Sequence, residues 1–266
     1  IIINSRKWVS QMIFLYLLGI FVGMLLPIQT SVNSRISQFT RSSFYASTIS
    51  FAVGTLCLLI LNLIINPHVF TTSFFSGQTF NYTWFVGGLL GVIFLTGSLL
   101  LLPRLGAALT VVITVTGQIL MGVVIDTFGL FGASQQQFTF FKAIGIIFLI
   151  FGILLMNYVP NRKIHHKTNS NFILWLAIGL VFGSAPPIQT TINSALAQQT
   201  HSSIFASLVS FTIGTTALFI LTLLFNRTLK ISITHDVLGR IKPVYFIGGM
   251  LGMAFVTANI ILMPFL

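Results

Sequence analysis

An all-α polytopic membrane protein, built on an inverted-topology repeat of five-helix units, is the fold class this sequence predicts. Five helices fall in the first copy and three in the second. Three observations predict it: a composition almost without charge, eight apolar runs of membrane-spanning length, and a second half that repeats the first with its charges on the opposite connectors.

Composition comes first. The 266 residues are 55% hydrophobic and 6% charged, with a mean hydropathy of +1.00. Soluble domains are about a quarter charged, so a soluble globular domain and a disordered chain are both excluded. Asp126 and Asp236 are the only acidic residues, and there is no Glu. Most carboxylate-based enzyme chemistry is thereby excluded. The net charge of +11 comes from only thirteen Lys and Arg. They sit in short connectors, as the positive-inside rule requires, and do not form a nucleic-acid-binding surface. Cys57, the one cysteine, lies in an apolar run and forms no intrachain disulfide. The chain begins with Ile rather than Met, and the expectation is that its true N-terminus lies upstream. The first apolar stretch follows Arg6 and Lys7 but is too long for a signal peptide and lacks a cleavage site, so it is read as a membrane anchor.

The apolar runs come next. A spanning helix needs about 20 mostly apolar residues. Spans are expected at 12–33, 44–65, 83–102, 105–125 and 143–159, and then at 172–193, 204–225 and 244–264. They are too long, and too free of two-residue alternation, to be barrel strands. The organisation is a first repeat over 1–159, a basic linker over 160–171 and an incomplete second repeat over 172–266.

The repeat is explicit. P-I-Q-T-S-V-N-S at 27–34 returns as P-I-Q-T-T-I-N-S at 187–194, and G-G-L-L-G at 87–91 returns as G-G-M-L-G at 248–252. S-S-F-Y-A-S-T-I-S-F-A-V-G-T at 42–55 returns as S-S-I-F-A-S-L-V-S-F-T-I-G-T at 202–215. A unit of five helices is odd, so the second copy enters the membrane from the other side. The charges agree. Inverting the second copy gathers Arg35, Arg41, Arg104, the linker cations and Arg227, Lys230, Arg240 and Lys242 on one face, which should be cytoplasmic, with both termini outside. Arg6, Lys7 and Lys142 are the exceptions.

Several positions could carry chemistry. Gln29 and Asn33, and their repeats Gln189 and Asn193, are amide pairs four residues apart, each on one helix face. They fit either glue between helices or contact with a solute. Pro27 and Pro187 stand two residues before each pair and can break the helix there, freeing carbonyls. Thr110, Thr114 and Gln118 form a polar stripe, with Gly122 one step further. Asp126 is the one acidic residue near a span in the first copy and is the candidate for ion or proton coupling. Ser43, Ser47, Ser50 and Gly54, repeated at 203, 207, 210 and 214, read as close-packing faces, as do the glycine clusters. Trp84 and Tyr245 read as interface anchors. No metal-ligand spacing, catalytic constellation or P-loop is present, so no enzyme activity and no metal or cofactor is expected.

P-I-Q-T-x-x-N-S, S-F-x-x-G-T, G-G-L-L-G and L-P-R-L-G-A-A-L-T…G-Q…D-x-F-G-L-F-G together resemble the YdcZ-type family of the drug/metabolite transporter superfamily. The chain resembles a fused two-copy form with a truncated second copy. The resemblance implies a transporter-like helical bundle in a bacterial inner membrane. It also implies transport, or export, of small organic solutes. The superfamily usually places its N-terminus in the cytoplasm, whereas the charge pattern here places it outside. Alternating access around a midplane site is the leading reading, and a non-transporting scaffold or partner subunit is the alternative. The second copy lacks counterparts of the fourth and fifth helices. The expectation is that the natural chain runs on beyond Leu266, or that a homodimer covers the gap. Lipid and a solute are the expected partners, with no nucleic acid.

Overall fold

Serine caps and left-handed residues set the turns of this computed structural model, which describes residues 2–158, 170–226, 231, 234–235, 239–263 and 265. The expected linker cations Arg162, Lys163 and Lys167, and also Arg227, Lys230, Asp236 and Pro264, lie outside the described residues, as do the side chains of Arg6 and Lys7. The helices are α1 (Ile2–Thr40), α2 (Ser43–Ile65), α3 (Thr72–Ser76), α4 (Thr83–Phe128), α5 (Phe140–Tyr158), α6 (Ser170–Thr200), α7 (Ser203–Phe225) and α8 (Gly248–Leu262). A two-residue ladder, β1 (Thr234–His235) with β2 (Gly239–Arg240), precedes α8 and is the one strand pair among the described residues. Ser42 accepts a hydrogen bond from the Tyr45 amide and Ser202 from the Phe205 amide, both at 3.2 Å, capping α2 and α7. Arg41 (φ 52°) and His201 (φ 53°) turn the chain before each cap in the left-handed region. The two copies therefore share even the geometry of this corner.

Among the described residues, six helices are long and apolar enough to cross a membrane. One of them, α4, has 46 residues. A straight helix of that length would be about 69 Å long, more than twice the hydrocarbon thickness of about 30 Å. Gly106, at φ 76° and ψ 166°, breaks it just beyond Pro103. Only a residue without Cβ adopts that backbone at little cost. The neighbours show that the chain folds back there. Along the first arm, Gly97 faces Phe182, Gly91 faces Gln189 and Gly87 faces Asn193. Along the second arm, Ile113 packs on Gly179 and Gly117 on Gly183. The first arm runs antiparallel to α6 and the second parallel to it, so the two arms are the spans expected at 83–102 and 105–125. Arg104 closes the hairpin, its guanidinium 4.6 Å from the centre of the Trp175 ring.

The inverted repeat is visible where α2 meets its equivalent, α7. Thr48 bonds Thr222 at 2.7 Å, Thr55 bonds Thr215 at 2.8 Å, and Asn62 donates to the Ile204 carbonyl at 3.2 Å. Numbers rise on one helix as they fall on the other. Equivalent helices that run antiparallel are related by a two-fold axis lying across them, which is the axis of an inverted repeat. Phe51 and Phe211 stack across it at 4.8 Å. Each ring fills the space a Cβ would need on Gly214 or Gly54 of the other copy.

Helix α1 continues unbroken through Pro27, and α6 through Pro186 and Pro187. This corrects the expectation of helix breaks. Each proline withholds one N–H, so the carbonyls of Gly23, Phe182 and Gly183 lose their helical donor while the surrounding turns stay helical. Trp84 also departs from expectation. It is buried, packed on Phe80 and Phe205, rather than placed at a lipid interface.

Candidate functional site

The amides and the glycine clusters belong to one construction. Asn33 donates to Ser50 Oγ at 3.0 Å, and Asn193 donates to Ser210 Oγ at 3.2 Å. Gln189 also reaches Ser210 Oγ, at 3.4 Å. All four amides are buried. Each pair lies against the glycine cluster of the other copy. A Cβ on Gly87 would overlap Asn193 Oδ1, and one on Gly91 would lie 2.8 Å from Gln189 Nε2. A Cβ on Gly248 would overlap Asn33 Oδ1, and one on Gly252 would overlap Gln29 Nε2. The glycines thus make room for amides that a lipid-facing helix could not carry. Two further bonds repeat: Thr96 donates to Ser47 Oγ at 3.1 Å, and Thr257 to Ser207 Oγ at 2.9 Å.

The polar stripe on the second arm of α4 divides. Thr114 donates to the Thr110 carbonyl at 2.8 Å, and its backbone lies against Gly183. Thr110 is buried and its hydroxyl has no partner. Gln118 and Gly122, further along the stripe, line an open space between this arm, α6 and α8.

That space has two lobes. One, of about 660 Å³, is lined by Gly122, Asp126, Ser134, Gln136, Thr190, Gln198 and Asn259, with Leu262, Met263 and Phe265 as an apolar wall. The other, of about 230 Å³, is lined in addition by Gln118, Pro186, Pro187 and Thr191. Gly122, Asp126, Thr190, Asn259 and Met263 line both. The larger lobe falls within the volume range of small-molecule sites, about 300–1,000 Å³. Gln118 Nε2 is buried there without a partner. Asp126 stands near the mouth with its side chain 44% exposed, bridged at 3.4 Å to Lys142 at the start of α5. Lys142, an exception to the charge pattern, is therefore neutralised locally.

The sequence candidates thus fall into two groups. Gln118, Asp126 and Pro187 line the cavity, whereas Gln29, Asn33, Gln189, Asn193, Thr110 and Thr114 sit in helix–helix seams. Sequence reasoning missed Thr190, Gln198, Gln136 and Asn259. Asn259 carried a usable signal, because an Asn within an apolar membrane run is expensive and so marks a function.

The cavity lies at the end of the bundle that holds the C-terminus of α8, away from the end where Arg35, Arg41, Arg104, Arg240 and Lys242 gather. Ser98, the counterpart of Asn259, and Thr30, the counterpart of Thr190, are both buried.

An inverted-repeat helical bundle with a polar, solute-sized cavity open at one end defines a membrane transporter. The family model DMT_YdcZ, described as "Putative inner membrane exporter, YdcZ", matches residues 14–155 and 174–266. The chain belongs to that family and is a multi-pass protein of the inner membrane. No curated protein and no solved structure matches it.

Proposed function

We propose that the protein is a secondary transporter that exports small organic solutes by alternating access, without chemical change to the solute. The observation that carries this reading is the asymmetry between the two ends of the pseudo-two-fold. Asn259 and Thr190 line an open cavity, whereas their counterparts Ser98 and Thr30 are buried. In an inverted repeat the two copies can exchange conformations, and that exchange would expose Ser98 and Thr30 and bury Asn259 and Thr190. The charge pattern makes the open end external, so this is an outward-open form. Asp126, at the mouth, is the group placed to couple transport to an ion. Gln118 and Thr191 offer hydrogen-bonding groups in the smaller lobe.

The test is accessibility on both sides. In a Cys57→Ser background, Asn259→Cys should react with a membrane-impermeant maleimide from outside, and Ser98→Cys from the cytoplasm during turnover. Ser98→Cys that stays unreactive under every gradient, with no solute flux in proteoliposomes, would refute alternating access.

A further inference from the structure

We infer that the cavity takes small organic cations carrying a hydrogen-bonding group, and that Lys142 is a built-in competitor for the carboxylate that holds them. The inference rests on the transporter reading of this cavity and adds its substrate class. Four observations carry it. Asp126 lines both lobes, and no Lys or Arg is among the lining residues described. The remaining polar lining consists of uncharged amides and hydroxyls, so the one fixed charge facing a solute is negative. Lys142 offsets this charge only through a part-exposed pair, so a cation that displaces the Lys142 ammonium gains the carboxylate, whereas an anion finds no fixed cation among the lining residues described. Gln118 lines the smaller lobe, and its Nε2 is buried with no partner among the described residues, so a turn of this side chain supplies a donor for a hydroxyl or carbonyl oxygen on the same solute.

The fourth observation is the ion pair itself. Lys142 reaches Asp126 from α5, a helix that packs only lightly on the bundle, at a distance of 3.4 Å and with both side chains partly exposed. A pair of this kind is weak and exchangeable. An ammonium entering the cavity competes with the Lys142 ammonium for one carboxylate, so Lys142 weakens cation binding while Asp126 makes it possible. The two residues therefore act in opposite directions on the same ligand, which a merely structural ion pair would not do.

The experiment is a thermal-shift titration of the full chain with tetramethylammonium, choline and, as the uncharged isostere of choline, 3,3-dimethylbutan-1-ol. Choline should raise Tm in the wild type and the isostere should not. Lys142→Met should tighten the apparent Kd for choline roughly two- to fivefold, as expected for release of a part-exposed ion pair. Asp126→Asn should abolish the shift. Lys142→Gln serves as a second variant if Lys142→Met folds poorly. Equal shifts by choline and its isostere, or weaker binding in both Lys142 variants, would overturn the inference, as would no shift with either cation. The transporter reading has a separate readout. If both cations fail while Asn259→Cys and Ser98→Cys still show alternating labelling, the cation class is wrong and transport stands. If the labelling also fails, the transporter reading falls with it.

Discussion

Gly23 and Gly183 occupy equivalent positions in the two copies, and the same substitution should have opposite effects at them. A Cβ on Gly183 would overlap the Thr114 carbonyl and lie 2.8 Å from Thr114 Cα. Those atoms are backbone, so α6 and the second arm of α4 must move apart. Overpacking of this kind costs about 1–3 kcal/mol, against about 0.5–1 kcal/mol returned by replacing Gly with Ala in a helix. A Cβ on Gly23 meets nothing within 4 Å, so only the favourable term remains. Gly183→Ala should therefore be less stable than Gly23→Ala by about 2 kcal/mol, a separation of roughly 4–8 °C for a chain of this size. Melting of detergent-solubilised protein, followed by loss of the monodisperse peak in size exclusion, measures it. Equal destabilisation at both sites would refute the reasoning, because it would mean that the exposed face of α1 is clasped as tightly as that of α6. A neutral Gly183→Ala would mean that the α4–α6 seam is looser than its contacts indicate.

Three further outcomes follow from the same geometry. Asn33→Ala and Asn193→Ala should each destabilise the fold by about 1–3 kcal/mol by stranding a buried partner, whereas Gln118→Ala should leave Tm nearly unchanged and reduce flux; melting and proteoliposome assays on the same preparations separate the two. Asp126→Asn should cost no more than about 1 kcal/mol of stability, since its ion pair is part-exposed, yet abolish flux driven by a pH gradient if Asp126 couples transport; undiminished gradient-driven flux would remove it from that role. In a Cys57→Ser background, Thr72→Cys should label from the periplasm and Ser170→Cys from the cytoplasm; the reverse pattern would invert the orientation.

Much of the fold was legible because its causes are local. A bilayer demands long apolar runs, so the spans could be read from hydropathy alone, and matched motifs exposed the repeat. What could not be read was which face meets which. The P-I-Q-T-x-x-N-S and G-G-x-L-G motifs were both visible as conserved in the two copies. That each glycine cluster receives the amides of the opposite copy depends on the pseudo-two-fold, a long-range relation. The amides looked like cavity groups because a polar side chain in a membrane helix has two outlets, a partner or water, and sequence does not choose between them. The prolines misled for a related reason. Loss of one N–H weakens a turn, but α1 and α6 stay helical on both sides of their prolines. Gln136 and Gln198 were hidden differently, since amides near connectors resemble ordinary solvated residues until the chain folds them over the mouth of a cavity.

The limit of repeat logic shows most clearly in the cavity itself. Gly19 and Gly23 on α1 match Gly179 and Gly183 on α6, and identical motifs suggest identical roles. The role of a glycine pair is set by what approaches it. On α6 the pair admits the second arm of α4 to backbone contact, and that close seat holds Gln118 and Asp126 across from Pro187 and Thr190. The cavity exists because the arm is drawn close to α6 over residues 113–117 and stands away from it beyond Gln118. Gly23 faces no such helix among the described residues. The close seat of this arm on Gly179 and Gly183 thus shapes one wall of the cavity, while the repeated motifs supply the symmetric frame on which it acts.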